Sequence, residues 1–181
     1  MTASCWLEAK ALQVSEDGIE TDPEKIEAVA TWPVPVCVRD IRSFIGLCSY
    51  YRRFVRGFAE VAAPLHALTG KYARFEWSEE CQLAFEKLKE AFTTFPILAM
   101  PSDEGRYILD TDAGETSIGA VLSQVQNGEE RVTVYASRTY NKAERNYCTT
   151  RKEVLAVVYF IKQFKQYLLD SRFLIRTDHA C

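Results

Sequence analysis

Residues 106–124 read RYILDTDAGETSIGAVLSQ, and they decide the fold of the second half of the chain. A strand-like run begins at Tyr107 and ends at Asp112, and a second apolar run covers 118–124. The dipeptide Asn127-Gly128 follows, which tolerates the positive φ angles of a tight hairpin turn. A third run covers 131–137. The pattern therefore predicts three consecutive strands, the last two of them joined as an antiparallel hairpin.

The sequence period then changes from that of strands to that of a helix. Apolar residues recur at helical spacing from about Thr149 to Leu169, which predicts one long amphipathic helix. The residues predicted to face its core are Val154, Leu155, Val158, Ile161 and Leu168. A last strand-like run covers 173–177. The order βββαβ predicts an α/β fold, because a helix between the third and fourth strands allows the last strand to lie parallel to the first.

The sequence pattern in the first half of the chain predicts helices and no strands. One begins at Asp22-Pro23-Glu24, where Asp caps the helix, Pro fits its first turn and Glu favours the positive end of the dipole. A second places apolar residues at helical spacing from Ile41 to Tyr51 and is broken by Gly57. A third covers about 58–68, and a fourth begins at Ser78-Glu79-Glu80. A linker containing two prolines then leads to the strands.

Length and composition limit the class of protein. A chain of 181 residues with 48% apolar residues can build a core and one or two domains. No stretch approaches the roughly 18 apolar residues of a membrane span, and no secretory signal is recognisable at the N-terminus. The six cysteines and two histidines show no zinc spacing, so the cysteines are interpreted as reduced thiols of an intracellular protein.

A local basic stretch interrupts an otherwise slightly acidic chain, whose net charge is -3. Between Cys37 and Gly57, five arginines stand against Asp40 alone, and four aromatic residues lie among them. Such a stretch suits contact with a phosphate backbone. The residues alone fit equally well an amphipathic helix with a solvated face. The candidate nucleic-acid-binding residues are Arg39, Arg42, Arg52, Arg53 and Arg56.

Three segments resemble one known family in the same order. They are TDAGETSIGAVLSQ at 111–124, ASRTYNKAERNYCTTRKEVLAVV at 136–158 and RTDHA at 176–180. The ribonuclease H (RNase H) region of gypsy-type LTR retrotransposons and their retroviral relatives has the similar patterns TDAS..GIGAVLSQ, ASR.L..AERNY..T.KE.LAVV and TDH. Residues 18–28, 32–33 and 42–54 resemble the end of the reverse transcriptase that precedes this nuclease, including its helical thumb.

The resemblance implies a domain organisation. Residues 1–13 are unmatched, 14–72 form a thumb-like helical segment, 73–105 form a connecting helix and linker, and 106–181 form the N-terminal part of an RNase H-like domain. The expected fold is therefore α/β, a thumb-like helical segment followed by a truncated, mixed βββαβ sheet. The family's polymerase core and the end of its nuclease domain are missing from these residues. We expect these residues to be a fragment of a longer Pol polyprotein that spans parts of two domains.

The resemblance also implies a metal site made of Asp112, Glu153 and Asp178. Hydrolysis of a phosphodiester needs an activated water and neutralisation of the leaving oxygen, which two Mg²⁺ ions about 4 Å apart supply through carboxylate ligands. By resemblance, Asp112 bridges both ions, Glu153 binds one and Asp178 helps to hold one; Mn²⁺ is an alternative ion.

Each of the three carboxylates also has a structural interpretation. Asp112 fits a turn residue ahead of Gly114. Glu153 fits the glutamate of a capping box with Thr150, and Asp178 fits a strand end. Asp110 shares a strand face with Asp112 and is interpreted as a polar neighbour or a supporting acid. The role of His179 is left open.

The function implied for the parent protein is metal-dependent hydrolysis of RNA in RNA–DNA hybrids during reverse transcription. The implied partners are such a hybrid or another nucleic-acid duplex, and the rest of the Pol polyprotein. The expected location is the cytoplasm, a retroelement particle or the nucleus. The alternative is a catalytically silent remnant that binds nucleic acid. Whether the chain is itself an enzyme stays open at this point.

Overall fold

The computed structural model describes residues 12–15, 18–21, 23–94 and 97–177 and arranges them as helices on both sides of a four-stranded sheet. The elements in chain order are β1 (Leu12–Ser15), β2 (Gly18–Thr21), α1 (Pro23–Ala30), α2 (Val38–Tyr50), α3 (Phe58–Val61), α4 (Ala63–Ala67), α5 (Glu79–Thr93), β3 (Tyr107–Ala113), β4 (Ser117–Gln126), β5 (Glu129–Thr139), α6 (Thr149–Gln163), α7 (Lys165–Leu168) and β6 (Phe173–Thr177).

The sheet has the strand order β5-β4-β3-β6. β4 pairs antiparallel with both β3 and β5, whereas β6 pairs parallel with β3. The predicted α/β class with a mixed βββαβ sheet is therefore confirmed. The predicted hairpin is also confirmed, because Asn127 and Gly128 connect β4 to β5 with φ angles of 53° and 84°. This positive φ is the reason for that residue pair at a two-residue turn.

The face of α6 that meets the sheet differs from the predicted one. Val154 and Val158 were expected in the core but are 57% and 45% exposed. The buried residues are Ala156 and Phe160, continued by Phe164 at the bend that separates α6 from α7. The aromatic rings bury more apolar area than valines do, so they select the face. Of the other residues predicted to face the core, Leu168 is buried, and Leu155 and Ile161 are half-buried.

A separate core holds the helices of the first half together. Phe44 of α2 and Phe85 of α5 pack with their ring centroids 4.7 Å apart, and both side chains are buried. The predicted third helix is divided into α3 and α4, and Pro64 lies in the first turn of α4, where its missing N–H costs nothing. Gly57 precedes α3 with a φ of 66°, but the second helix has already ended at Tyr50, ahead of a 3-10 turn at Arg52–Phe54.

The two cores meet across the sheet. One face of the sheet packs against α6, and on the other face Val132 and Tyr135 of β5 pack against the helical core. The backbone N–H of Ala59 in α3 donates to Ser137 Oγ at 2.9 Å. A hairpin of β1 and β2, which the sequence did not predict, adds backbone hydrogen bonds between Ile19 and Leu98. No helix within 23–94 or 97–177 is long and apolar enough to cross a membrane.

Candidate active site

Asp112 lies near the C-terminal end of β3, opposite Gly119 of β4. It is part of the strand, not of the turn that begins at Gly114, so the turn interpretation does not describe it. Its side chain is exposed and lines a cleft of about 240 Å³ between the sheet and α3, together with Arg56 and Glu60. Within the described part of the chain, the carboxylate of Asp112 forms no hydrogen bond or ion pair. Its oxygens are therefore open to a ligand.

Glu153 is held at the same end of the sheet as Asp112. It lies in the second turn of α6, and its Oε2 accepts a hydrogen bond from Thr177 Oγ1 at 3.1 Å. Thr177 ends β6 and pairs in register with Thr111, the residue before Asp112. The capping-box interpretation is wrong, because the helix N-cap is Cys148 and it forms no side-chain capping hydrogen bond.

Tyr140 lies within the electrostatic influence of both carboxylates. Burial raises the pKa of its phenol, and the negative charges of Glu153 and Asp112 raise it further, against a smaller opposite effect of Arg138. The phenol therefore stays protonated at neutral pH and keeps its O–H donor. Tyr140 was not predicted as a site residue, and its place inside the segment 136–158 was the one signal in the sequence.

The third predicted ligand, Asp178, lies outside the described residues, as does His179. The structure places two of the three predicted carboxylates at one end of the sheet. Among the described residues, no group of three Asp, Glu, His or Cys side chains is close enough to hold a metal ion. Asp112 and Glu153 are hard oxygen donors, and Mg²⁺ usually takes one or two carboxylates together with waters and substrate phosphates. The residues present thus fit a Mg²⁺ or Mn²⁺ site that substrate and a further ligand complete.

Asp110 is engaged by an ion pair on the same face of the sheet. Arg176 Nη2 of β6 lies 2.6 Å from Asp110 Oδ2 and also 2.6 Å from Glu130 Oε1. The hydrogen bonds that Arg176 donates, first those to Asp110 and then those to Glu130, raise the pKa of Arg176. The carboxylate of Asp110 is therefore neutralised by a neighbour, in contrast to that of Asp112, and the interpretation as a polar neighbour fits it.

All five candidate arginines are exposed. Arg42 is partly used within the fold, since its Nη2 donates to the carbonyl oxygen of Thr69 at 3.1 Å. Arg56 lines the same cleft as Asp112. Arg52 and Arg53 line a second cleft of about 270 Å³ beside the exposed ring of Tyr50. Exposure of this kind suits phosphate contacts and a solvated face alike, so nucleic-acid binding stays a prediction.

A partly buried ion pair fixes the connection from β5 to α6. Arg138 and Glu144 form two hydrogen bonds of 2.7 and 2.9 Å, and the guanidinium of Arg138 lies 4.3 Å from the ring centroid of Tyr159 in α6. The backbone N–H of Asn141 also donates to Glu144. The hydrogen bond from Arg138, followed by that from Asn141, lowers the pKa of Glu144 to about 2.

We expect Glu144→Gln to lower the free energy of unfolding at pH 7 by about 2 kcal/mol, since hydrogen bonds to charged groups contribute about 1.5–3 kcal/mol. The folded-state pKa lies below the unfolded value of about 4.3, so the stabilisation is present above that pH and is lost as pH falls toward 2. Urea unfolding at pH 7 and pH 3 measures both effects. Glu129→Gln, which changes an exposed hairpin carboxylate, is the matched control. An equal effect of the two substitutions would contradict the assignment.

Comparison with known proteins shows the family of this chain. Residues 77–175 match the profile of the family described as the RNase H-like domain found in reverse transcriptase. The retrovirus-related Pol polyprotein from transposon 297 of Drosophila melanogaster is 41% identical over 167 residues, which cover 92% of this chain and 15% of that protein. The Pol polyprotein from transposon gypsy of the same organism is 37% identical, covering 92% of this chain and 17% of that protein. The chain thus spans less than a fifth of the length of these relatives.

Solved structures share the fold at lower identity. The foamy viral protease-reverse transcriptase dRH in complex with ds DNA superimposes with a TM-score of 0.81 at 17% identity, covering 94% of this chain and 30% of that chain. The foamy viral protease-reverse transcriptase in complex with RNA/DNA hybrid gives a TM-score of 0.79 at 17% identity, covering 94% of this chain and 23% of that chain. The likeness covers the helices of the first half as well as the sheet.

Proposed function

The chain belongs to the family of RNase H-like domains found in reverse transcriptases, in the form present in gypsy-type retrotransposon Pol polyproteins, and on that premise we propose that it contributes a metal-dependent nuclease site. The reaction is hydrolysis of the RNA strand in an RNA–DNA hybrid. The observation that carries the proposal is the hydrogen bond from Thr177 to Glu153, which holds the carboxylate of α6 beside the end of β3 that bears Asp112.

The ligands in this proposal are Asp112, Glu153 and Asp178. Thr177 directly precedes Asp178 and pairs with the residue before Asp112. Bound Mg²⁺ supplies an activated water and neutralises charge on the leaving oxygen. The protein's part is to hold the oxygen donors: Asp112 with both oxygens open, and Glu153 with Oε2 oriented by Thr177. Hydrogen bonds of this kind fix the direction from which a ligand approaches the metal.

Arg56 contributes a positive charge to the cleft that Asp112 lines. It lines the same 240 Å³ cleft as Asp112 and is exposed. We assign it to a phosphate of the bound strand, since guanidinium groups match phosphate oxygens in geometry and charge. The partner proposed for this chain is an RNA–DNA hybrid or another nucleic-acid duplex, together with the rest of a Pol polyprotein, in the cytoplasm, a retroelement particle or the nucleus.

Cleavage of a labelled RNA–DNA hybrid tests the proposal. The 181 residues alone should give at most trace Mg²⁺-dependent cleavage, because β6 is an edge strand of the sheet that the described residues form, with Phe173 and Leu174 exposed. A site on an incompletely supported element holds metal loosely. A chain extended with the residues that follow the matched region in the transposon 297 polyprotein should cleave the RNA strand. No cleavage by the extended, folded chain would leave the alternative, a silent nucleic-acid-binding remnant.

A separate prediction concerns the contribution of the basic stretch to duplex binding. Replacing Arg52 and Arg53 by Glu should flatten the dependence of log K on log salt for duplex binding by roughly 1 to 2, because each lost phosphate contact removes about 0.9 from the slope. Fluorescence anisotropy with a labelled duplex between 50 and 300 mM salt measures it. The control is the double reversal of Arg74 and Lys87, which are exposed and lie outside both clefts. Equal slopes in the two double variants would mean that Arg52 and Arg53 are only solvated.

A further inference from the structure

We infer that Tyr140 is a positioning residue that sets the place of Asp112 relative to Glu153; the inference rests on the proposed function. The feature that points to it is the turn of residues 114–116, which follows Asp112 and leads from β3 to β4. The hydroxyl of Tyr140 donates to the carbonyl oxygen of Gly114 at 3.2 Å. The backbone N–H of Tyr140 donates to the carbonyl oxygen of Thr116 at 3.1 Å. Tyr140 therefore holds this turn at both ends.

The helix that carries Glu153 holds the same turn in the middle. Lys152, the preceding residue of α6, donates from Nζ to the carbonyl oxygen of Glu115 at 3.2 Å. The same ammonium lies 4.9 Å from the centroid of the Tyr140 ring. Three consecutive carbonyl groups of the turn are thus bound by two side chains and one backbone N–H. Through them, the strand bearing Asp112 is connected to the helix bearing Glu153.

The surroundings of Tyr140 make its hydroxyl hard to replace. The side chain is buried, at 3% exposure, and packs in the core between the sheet and α6. Besides Lys152, the charged groups near enough to influence its hydroxyl are Glu153, Asp112, Arg138 and Glu144. Without the hydroxyl, the Gly114 carbonyl loses its partner and the turn gains freedom. Groups that orient metal ligands in this way change metal affinity by roughly 10–100-fold when removed.

The test compares Tyr140→Phe with Tyr107→Phe in the full chain. Both variants remove one hydroxyl from a buried tyrosine of the same core, and Tyr107 lies at the opposite end of β3. Hydrogen exchange of amides 114–117 reports on the turn and needs no metal. Titration with Mn²⁺ reports on the site. For Tyr140→Phe we expect roughly tenfold faster exchange in the turn and roughly tenfold weaker Mn²⁺ binding, with neither change in Tyr107→Phe.

The outcomes separate the inference from the proposed function. If exchange in the turn is unchanged in Tyr140→Phe, or if it rises while Mn²⁺ affinity stays at the wild-type value, Tyr140 is an ordinary core residue and the inference is overturned. If Mn²⁺ binding by the unsubstituted chain is absent or insensitive to Asp112→Asn, the proposed function fails, and a role for Tyr140 at a metal site fails with it. Tyr140→Leu, which also removes the ring beneath Lys152, should weaken Mn²⁺ binding at least as much as Tyr140→Phe.

Discussion

Asp112→Asn should lower the rate of Mg²⁺-dependent cleavage of an RNA–DNA hybrid by about a thousandfold in the extended chain. A bound metal contributes several kcal/mol of charge stabilisation in the transition state, and a thousandfold loss corresponds to about 4 kcal/mol. The amide keeps the size of the side chain but removes its negative charge. The measurement is single-turnover cleavage of a hybrid labelled on the RNA strand, with enzyme in excess.

The matched control for Asp112 lies two residues earlier on the same strand. Asp110 also lines the cleft, but its carboxylate is bound by Arg176. Asp110→Asn makes the same chemical change without removing a proposed ligand, so the cleavage rate should stay within about fivefold of the wild-type rate, a difference of about 1 kcal/mol. Equal losses in the two variants would mean that the overall charge of the cleft matters and that Asp112 is not a metal ligand.

Phe160→Ala should lower the free energy of unfolding by about 3–5 kcal/mol, the usual cost of removing a buried phenylalanine. Phe160 is fully buried, and its ring lies 6.1 Å from that of Phe164 in a stacked arrangement. Val158→Ala, at a position two residues away that is 45% exposed, should change the free energy of unfolding by less than about 0.5 kcal/mol. Urea denaturation followed by circular dichroism measures both. If Val158→Ala lowered the free energy of unfolding more than Phe160→Ala does, the helix face predicted from the sequence would be the buried one.

The sheet could be predicted because its signals are local. Strands β3 to β5 are set by short runs of apolar residues, and the turn between β4 and β5 is set by Asn127-Gly128, whose positive φ few other residue pairs accept. The parallel placement of β6 followed from the helix between β5 and β6. For these elements the local preference and the tertiary structure agree.

The face of α6 could not be predicted in the same way. Residues 154–161 are apolar on nearly every side of the helix, so the 3.6-residue period does not single out one stripe. The tertiary structure selects Ala156 and Phe160 because the sheet presents a surface that the aromatic rings fill. The β1–β2 hairpin was not predicted either, although its strands pair locally, from Leu12 with Thr21 to Ser15 with Gly18.

In the candidate site, too, local sequence signals could be recognised and contacts between distant elements could not. Asp112 and Glu153 were identified by their place in the matched segments, whereas their environment was not. The hydrogen bond from Thr177, the ion pair that engages Asp110 and the hold of Tyr140 on the turn after Asp112 all join residues on different elements. Such pairs leave no periodic pattern in a single sequence. They become visible when the strands and α6 are in place.

Nuclear magnetic resonance of the folded chain during titration with Mn²⁺ shows directly whether Asp112 and Glu153 bind one metal ion. Paramagnetic Mn²⁺ broadens the signals of nuclei close to it. We expect selective broadening of the amides around Asp112, Glu153 and Thr177, abolished by Asp112→Asn and retained in Asp110→Asn. Broadening centred elsewhere on the chain, or unaffected by Asp112→Asn, would contradict the claim that Asp112 and Glu153 belong to one metal site.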